Sequence, residues 1–405
     1  MEKSQFSTPL SPDELARLAP AAFTTLPVRI NRHDQQARKI SSQFVKAWRD
    51  ASQQSPLSKQ STIDWESLGS SSPIGHLASL VHPECRPELL VFLAKAFDYA
   101  QIHHEIVQPG NQSIAKPIST PASNPQSQGP SEPEAADTLA AMLSPDPAYK
   151  RLQLSLASEV MEVYEDNLQA ALDSASVVIN AIWLNQQDAW EPTTFDQNFL
   201  SQQANMPKAL EAMLLLEVDP RPTSAELACA ANVLAPLRVA QNLALEYFSY
   251  VETVEEQNVG TMSSISSSSP TKGVPLLMAD HGISTEEALA ILQRKIVAAE
   301  QEHSDNYISF TEDKNIPDNI RQYVELIRLA TGGLHVWASC TPQYQRNATR
   351  TENAKGAGRM GTNYERLSWL RRRSGSGFVL GLWILIVVAV FLAQGVFSPS
   401  YRFRF

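Results

Sequence analysis

Phe378 to Phe397 reads FVLGLWILIVVAVFLAQGVF, twenty residues with no charge and one polar side chain, Gln394. At helical rise such a run spans about 30 Å, the thickness of a bilayer core. A soluble helix of this length carries a polar face, and this one has none. The run therefore predicts one C-terminal transmembrane helix, placed at 377–397, with a short tail at 398–405. Arg371, Arg372 and Arg373 stand just before it, against Arg402 and Arg404 after it. Arg346, Arg350, Lys355, Arg359 and Arg366 outweigh Glu352 and Glu365 in the same polar linker, residues 345–376. The positive-inside bias places the large N-terminal body in the cytosol. The first thirty residues are polar and proline-punctuated, so the expectation is a single-pass tail anchor, most simply in the endoplasmic reticulum. The sequons at Asn111 and Asn347 are then expected unglycosylated, and the basic linker is suited to anionic headgroups.

The body before the linker, residues 1–344, has enough apolar material for a large core: 43% of the 405 residues are hydrophobic. The net charge of −10 and the lack of a Lys/Arg stripe on the body argue against nucleic acid as a partner. Three cysteines, Cys85, Cys229 and Cys340, lack CxxC spacing, which excludes a disulfide framework and disfavours a zinc site. Apolar residues at three-to-four spacing predict helices over 34–50, 85–107, 149–190, 207–218, 223–257, 284–303 and 317–332. Clean β alternation is scarce. Ser284 stands three residues before Glu287, and Thr223 precedes Ser224 and Glu226 ahead of a long apolar segment; both are helix starts. Residues 109–133 are rich in Pro, Ser, Gln and Asn, and a flexible Pro/Ser-rich insertion is placed at 109–147. Gly332-Gly333 reads as a helix-ending turn.

Four strings, in order along about 300 residues, carry a resemblance. They are Val28-Arg29-Ile30-Asn31-Arg32-His33, then Leu68-Gly69 through His82-Pro83-Glu84-Cys85-Arg86-Pro87-Glu88-Leu89 into Phe97-Asp98-Tyr99-Ala100-Gln101-Ile102-His103-His104-Glu105. Glu246-Tyr247-Phe248-Ser249-Tyr250 follows, with Leu277 to Ala288 after it, and Gly332-Gly333-Leu334-His335-Val336-Trp337 ends the series. Together they resemble the fungal class I terpene cyclases, in particular the cyclase halves of chimeric di- and sesterterpene synthases. The resemblance implies an all-α, terpene-synthase-like bundle around an apolar cavity. It also implies a magnesium cluster and basic side chains gripping a prenyl diphosphate, whose ionisation yields an allylic cation that cyclises. Magnesium takes hard oxygen ligands in near-octahedral geometry.

The positions that match the family's metal and diphosphate motifs hold other chemistry. The aspartate-rich motif falls on His104-Glu105-Ile106-Val107-Gln108, and its inward positions are His104 and Gln108. The second motif, Asn, Ser and Glu at i, i+4 and i+8, falls on Leu245, Ser249 and Thr253. Gln203 stands for the diphosphate-sensing arginine, and Gln343-Tyr344 for the C-terminal Arg-Tyr. No metal ligand is assigned, and magnesium enters only if the register is wrong. His104 and Glu105 are the candidate proton-transfer pair, because an imidazole beside a carboxylate titrates near neutrality. Phe97, Gln101, Gln108, Gln203, Leu245, Ser249, Thr253, Trp337 and Tyr344 are the candidate pocket. The expected partners are a hydrophobic isoprenoid or terpenoid, the membrane and other enzymes of the pathway. Three functions stay open: a repurposed cyclase acting without diphosphate ionisation, a non-catalytic pathway partner, and a magnesium-dependent cyclase in another register.

Overall fold

The computed structural model describes residues 5–54, 65, 69–106, parts of 151–164, 195, 205–257 and 273–342. Two three-residue strands, β1 (Ser7–Pro9) and β2 (Arg29–Asn31), pair antiparallel with Ser7 opposite Asn31. They are too short to show as alternation in the sequence, so the expectation of an all-helical body is corrected at this edge. Glu84 clamps the pair. It accepts hydrogen bonds from the Phe6 amide and the Ser7 hydroxyl, while Arg29 Nε donates to Ser7 Oγ at 2.5 Å.

Apart from an isolated antiparallel bridge between Ser71 and His76, the other regular structure among the described residues is helical, including a 3-10 turn at Leu215–Glu217. The helices are α1 (Pro12–Leu18), α2 (Asp34–Gln54), α3 (Leu77–Val81), α4 (Pro87–Ile106), α5 (Asn205–Leu214) and α6 (Ser224–Cys229). They continue as α7 (Ala231–Gln257), α8 (Gly273–His281), α9 (Thr285–Glu312) and α10 (Asp318–Cys340). Both expected starts form full capping boxes. Ser284 Oγ accepts from the Glu287 amide at 3.3 Å, and the Glu287 carboxylate accepts from the Ser284 amide at 2.9 Å. Thr223 and Glu226 do the same. The predicted helix 223–257 breaks at Ala230 into α6 and α7.

The expected turn at Gly332-Gly333 is wrong. Both glycines lie inside α10, which runs on to Cys340. A Cβ at Gly333 would stand 2.1 Å from the Leu80 carbonyl oxygen, and one at Gly332 would stand 2.7 Å from the Pro27 carbonyl oxygen. The pair therefore exists to bring α10 against α3 and the chain before β2, at the helical cost that glycine carries. Trp337, one turn further on, donates its indole N–H to the Ser70 carbonyl at 2.9 Å.

Helix α7 lies along α9 and α10. Pro236 inside α7 has no amide hydrogen to give the carbonyl of Asn232. The α9 side chains fill the gap: Asn306 donates to the Asn232 carbonyl at 3.4 Å, and His303 Nδ1 lies 2.8 Å from the Val233 carbonyl. Burial pulls His303 below the ordinary imidazole range, so it stays neutral and serves as a donor.

The segment between α1 and β2 is strapped across this bundle. Glu300 of α9 accepts from Thr24 Oγ1 at 2.7 Å, the Thr25 amide at 2.6 Å and Thr25 Oγ1 at 2.7 Å. Burial pushes its carboxyl up, while the three bonds pull it back. The Phe23 amide donates to His335 Nε2 at 3.1 Å, and the Phe23 ring meets His335, Tyr247 and Phe248. The expected membrane span, 377–397, and the linker before it lie outside the described residues. Among the described residues no helix is long and apolar enough to cross a membrane.

Candidate functional site

Helix α4 carries the first candidate stripe. Phe97, Gln101, His104 and Glu105 fall along one side of it at spacings of four, three and one residues, over about two turns. Phe97 is buried, with its ring 6.0 Å from that of His82. The backbone of Gln101, His104 and Glu105 is helical, and Gln108 lies beyond the described residues. Asp98, the next residue after Phe97, is wholly buried and accepts the Ser70 amide at 2.8 Å. That carboxylate is spent on holding the chain before α3.

Helix α7 carries the second. It is continuous through Leu245, Ser249 and Thr253, so these three positions share one face, as the spacing requires. Leu245 is half-buried and packs at the edge of the main core. Glu246 points elsewhere: it is buried and accepts the Val274 amide at the start of α8 at 3.3 Å. A shifted register that would enlist Glu246 as a metal ligand must first break that bond. Between Val233 and Phe248 most of α7 is buried, and the half-buried residues there include Arg238 and Leu245, seven residues apart on this same face.

Below Leu245 the face is unexpectedly polar. Arg238 forms a bidentate pair with Glu211 of α5, Nε to Oε1 at 2.5 Å and Nη2 to Oε2 at 2.7 Å. The hydrogen bonds to Glu211 hold the guanidinium above its ordinary range, outweighing desolvation. Tyr323 Oη of α10 donates to the Glu211 carbonyl at 3.2 Å. Gln241 Nε2 donates to Thr331 Oγ1 at 2.7 Å, and Asn242 is buried beside it. None of these was picked from sequence. The available signal was their register, three, four and seven residues before Leu245.

Of the remaining candidates, Trp337 is buried in the main core and tied to Ser70. Gln203 and Tyr344 lie outside the described residues. Among the described residues no three His, Cys, Asp or Glu side chains converge to hold a metal ion. The strings that carried the resemblance act as clamps. Asn31 Nδ2 donates to the carbonyls of Pro83 at 3.0 Å and Cys85 at 2.7 Å, and His82 Nδ1 lies 2.5 Å from Glu217. Asp280 accepts the Phe195 amide at 2.8 Å, and Gly282 closes α8 with a φ of 63°.

The bundle has the terpene synthase fold. It superposes on aristolochene synthase from Penicillium roqueforti with a TM-score of 0.55, covering 79% of this chain and 98% of that one at 8% identity. In sequence the chain is similar to fungal terpene synthases. It is 25% identical over 367 residues to preterpestacin I synthase of Cochliobolus heterostrophus, a match covering 89% of this chain and 47% of that enzyme. It is 23% identical over 361 residues to sesterfisherol synthase of Neosartorya fischeri, covering 86% of this chain and 44% of that one. The chain thus spans about half the length of the curated relatives it matches. No family model matches it.

Proposed function

We propose that this chain is a terpene-cyclase-like enzyme of terpenoid biosynthesis that acts on an isoprenoid or terpenoid without magnesium-dependent ionisation of a diphosphate. The observation that carries this is the α7 face. Its helical register is unbroken, and it sets Leu245, Ser249 and Thr253 where the resemblance asks for two oxygen ligands around a serine. A leucine side chain offers a metal nothing, and threonine is a poor substitute for a carboxylate on a dication. Asp98 on α4 and Glu246 on α7 each accept a hydrogen bond from a backbone amide. Leucine and threonine at Leu245 and Thr253 do not fit a magnesium cluster.

The pocket in this reading lies between the stripes of α4 and α7. Phe97, Leu245, Ser249 and Thr253 contact the substrate, with Gln101, Gln108, Gln203 and Tyr344 at its edges. His104 and Glu105, at the end of α4, move the proton. A neutral imidazole there takes a proton from the substrate skeleton, and the adjoining carboxylate stabilises the imidazolium. The apolar run at 378–397 supports a membrane-spanning segment that holds the body on the cytosolic side. Lipophilic substrates partition into that bilayer, which keeps them within reach.

The test is pyrophosphate release. The full chain in detergent is incubated with prenyl diphosphates of ten to twenty-five carbons, with and without magnesium, and extracts are searched for hydrocarbons. No release from folded protein is expected. Metal-dependent release with a cyclic product would establish the magnesium-dependent cyclase instead. Protein that binds terpenoids and turns over none would be a non-catalytic partner of the pathway.

A further inference from the structure

We infer that the polar lower part of the α7 face is a subsite for the hydroxyl group of an uncharged, oxygenated terpenoid. This inference rests on the proposed function and deepens it by naming the substrate class. Arg238 sits seven residues before Leu245, about 10 Å down the same face of α7. Its Nε and Nη2 are taken by Glu211, which leaves Nη1 as an oriented donor without an acceptor among the described residues. The Glu211 carboxylate of α5 holds that guanidinium in place, and the Tyr323 hydroxyl of α10 donates to the Glu211 backbone carbonyl.

One turn above, Gln241 spends its Nε2 on Thr331 and leaves Oε1 buried with no hydrogen-bond partner. A buried acceptor without a partner is unfavourable and calls for an occupant that donates. The face therefore offers a charged donor and a neutral acceptor as helical neighbours, which a hydroxyl group can serve together because it both accepts and donates.

The same chemistry selects against other ligands. A diphosphate is acceptor only, and it would meet the Gln241 carbonyl and the Glu211 carboxylate beside an arginine whose charge is already compensated. A plain hydrocarbon would bury Arg238 and Gln241 without satisfying them. Upward from the pair, Leu245 supplies the apolar contact that an isoprenoid chain needs. None of this involves a covalent step.

Binding of farnesol and geranylgeraniol is to be compared with that of farnesene and geranyl-linked hydrocarbons of equal carbon number, on the full chain in detergent, by tryptophan fluorescence. The alcohols are expected to bind at least about tenfold tighter than the hydrocarbons. The double variant Arg238→Leu/Glu211→Leu removes the pair without orphaning a charge, and it is expected to erase that ratio while hydrocarbon binding stays. Arg238→Lys, checked for helix content by circular dichroism, serves if the double variant does not fold. It keeps the charge but loses the bidentate hold, and it is expected to lower the ratio. Equal binding of alcohol and hydrocarbon, or a ratio unchanged in either variant, overturns the subsite. So does binding of neither compound. Pyrophosphate release with magnesium would overturn the proposed function instead, and the alcohol-to-hydrocarbon ratio is read independently of it.

Discussion

His335 makes the stability of this protein fall on acidification, by an amount the structure sets. Its ring lies buried between Phe23 and Phe248, and Nε2 accepts the Phe23 amide. Burial pushes it down to about 3 from an ordinary value of 6.5. A group whose native pKa is depressed contributes stability that is fully present above its unfolded pKa. That stability is lost as pH falls toward the native value. Between pH 6.5 and 3 the unfolded chain holds a proton that the native protein refuses, at about 1.4 kcal/mol per pH unit. At pH 5 the loss is about 2 kcal/mol. His335→Gln keeps an acceptor for the Phe23 amide and removes the titration. Urea unfolding of both proteins, followed by circular dichroism at pH 7.5 and pH 5, measures the difference. The wild-type protein is expected to lose about 2 kcal/mol more than the variant over that interval. Glu300, whose raised carboxyl works in the opposite direction, and His303, which works in the same direction, are present in both and drop out. Parallel pH dependence in the two proteins would refute the reasoning.

Two further perturbations probe the scaffold. Gly333→Ala drives a methyl into the Leu80 carbonyl, a backbone atom that cannot step aside. A loss of about 3 kcal/mol or failure to accumulate folded protein is expected, and a thermal midpoint within a degree or two of wild type would contradict the close approach of α10 and α3. Ser284→Ala removes the capping box of α9 and is expected to cost about 1 kcal/mol, measured as the shift in urea midpoint.

Much of the helical body was legible because its signals are local. The box at Ser284 and Glu287 and the 3.6-residue periodicity of α2, α4, α7 and α9 depend on residues within a turn or two of one another. The helical backbone under the motif positions of α4 and α7 was legible for the same reason. The misreadings were of two kinds, long-range contacts and elements too short for a period. Gly332-Gly333 has the composition of a turn, and only the Leu80 and Pro27 carbonyls of distant segments explain two glycines inside a helix. The break at Ala230 and the strands at Ser7 and Arg29 fall within a few residues, too short for periodicity to register.

By itself the sequence determined the helical class and the similarity to fungal terpene synthases, because residue type and spacing along one helix are written in the chain. Only the tertiary structure decided how the remaining polar groups are committed. Glu300 holds Thr24 and Thr25, Asp98 holds Ser70, Glu246 holds Val274, and Glu211 orients Arg238. Each of these pairs joins elements that are separate in the sequence, and a carboxylate's partner is set by which element packs beside it. Whether an acidic residue grips a ligand or a backbone amide is therefore a property of the packed bundle and not of any string within it.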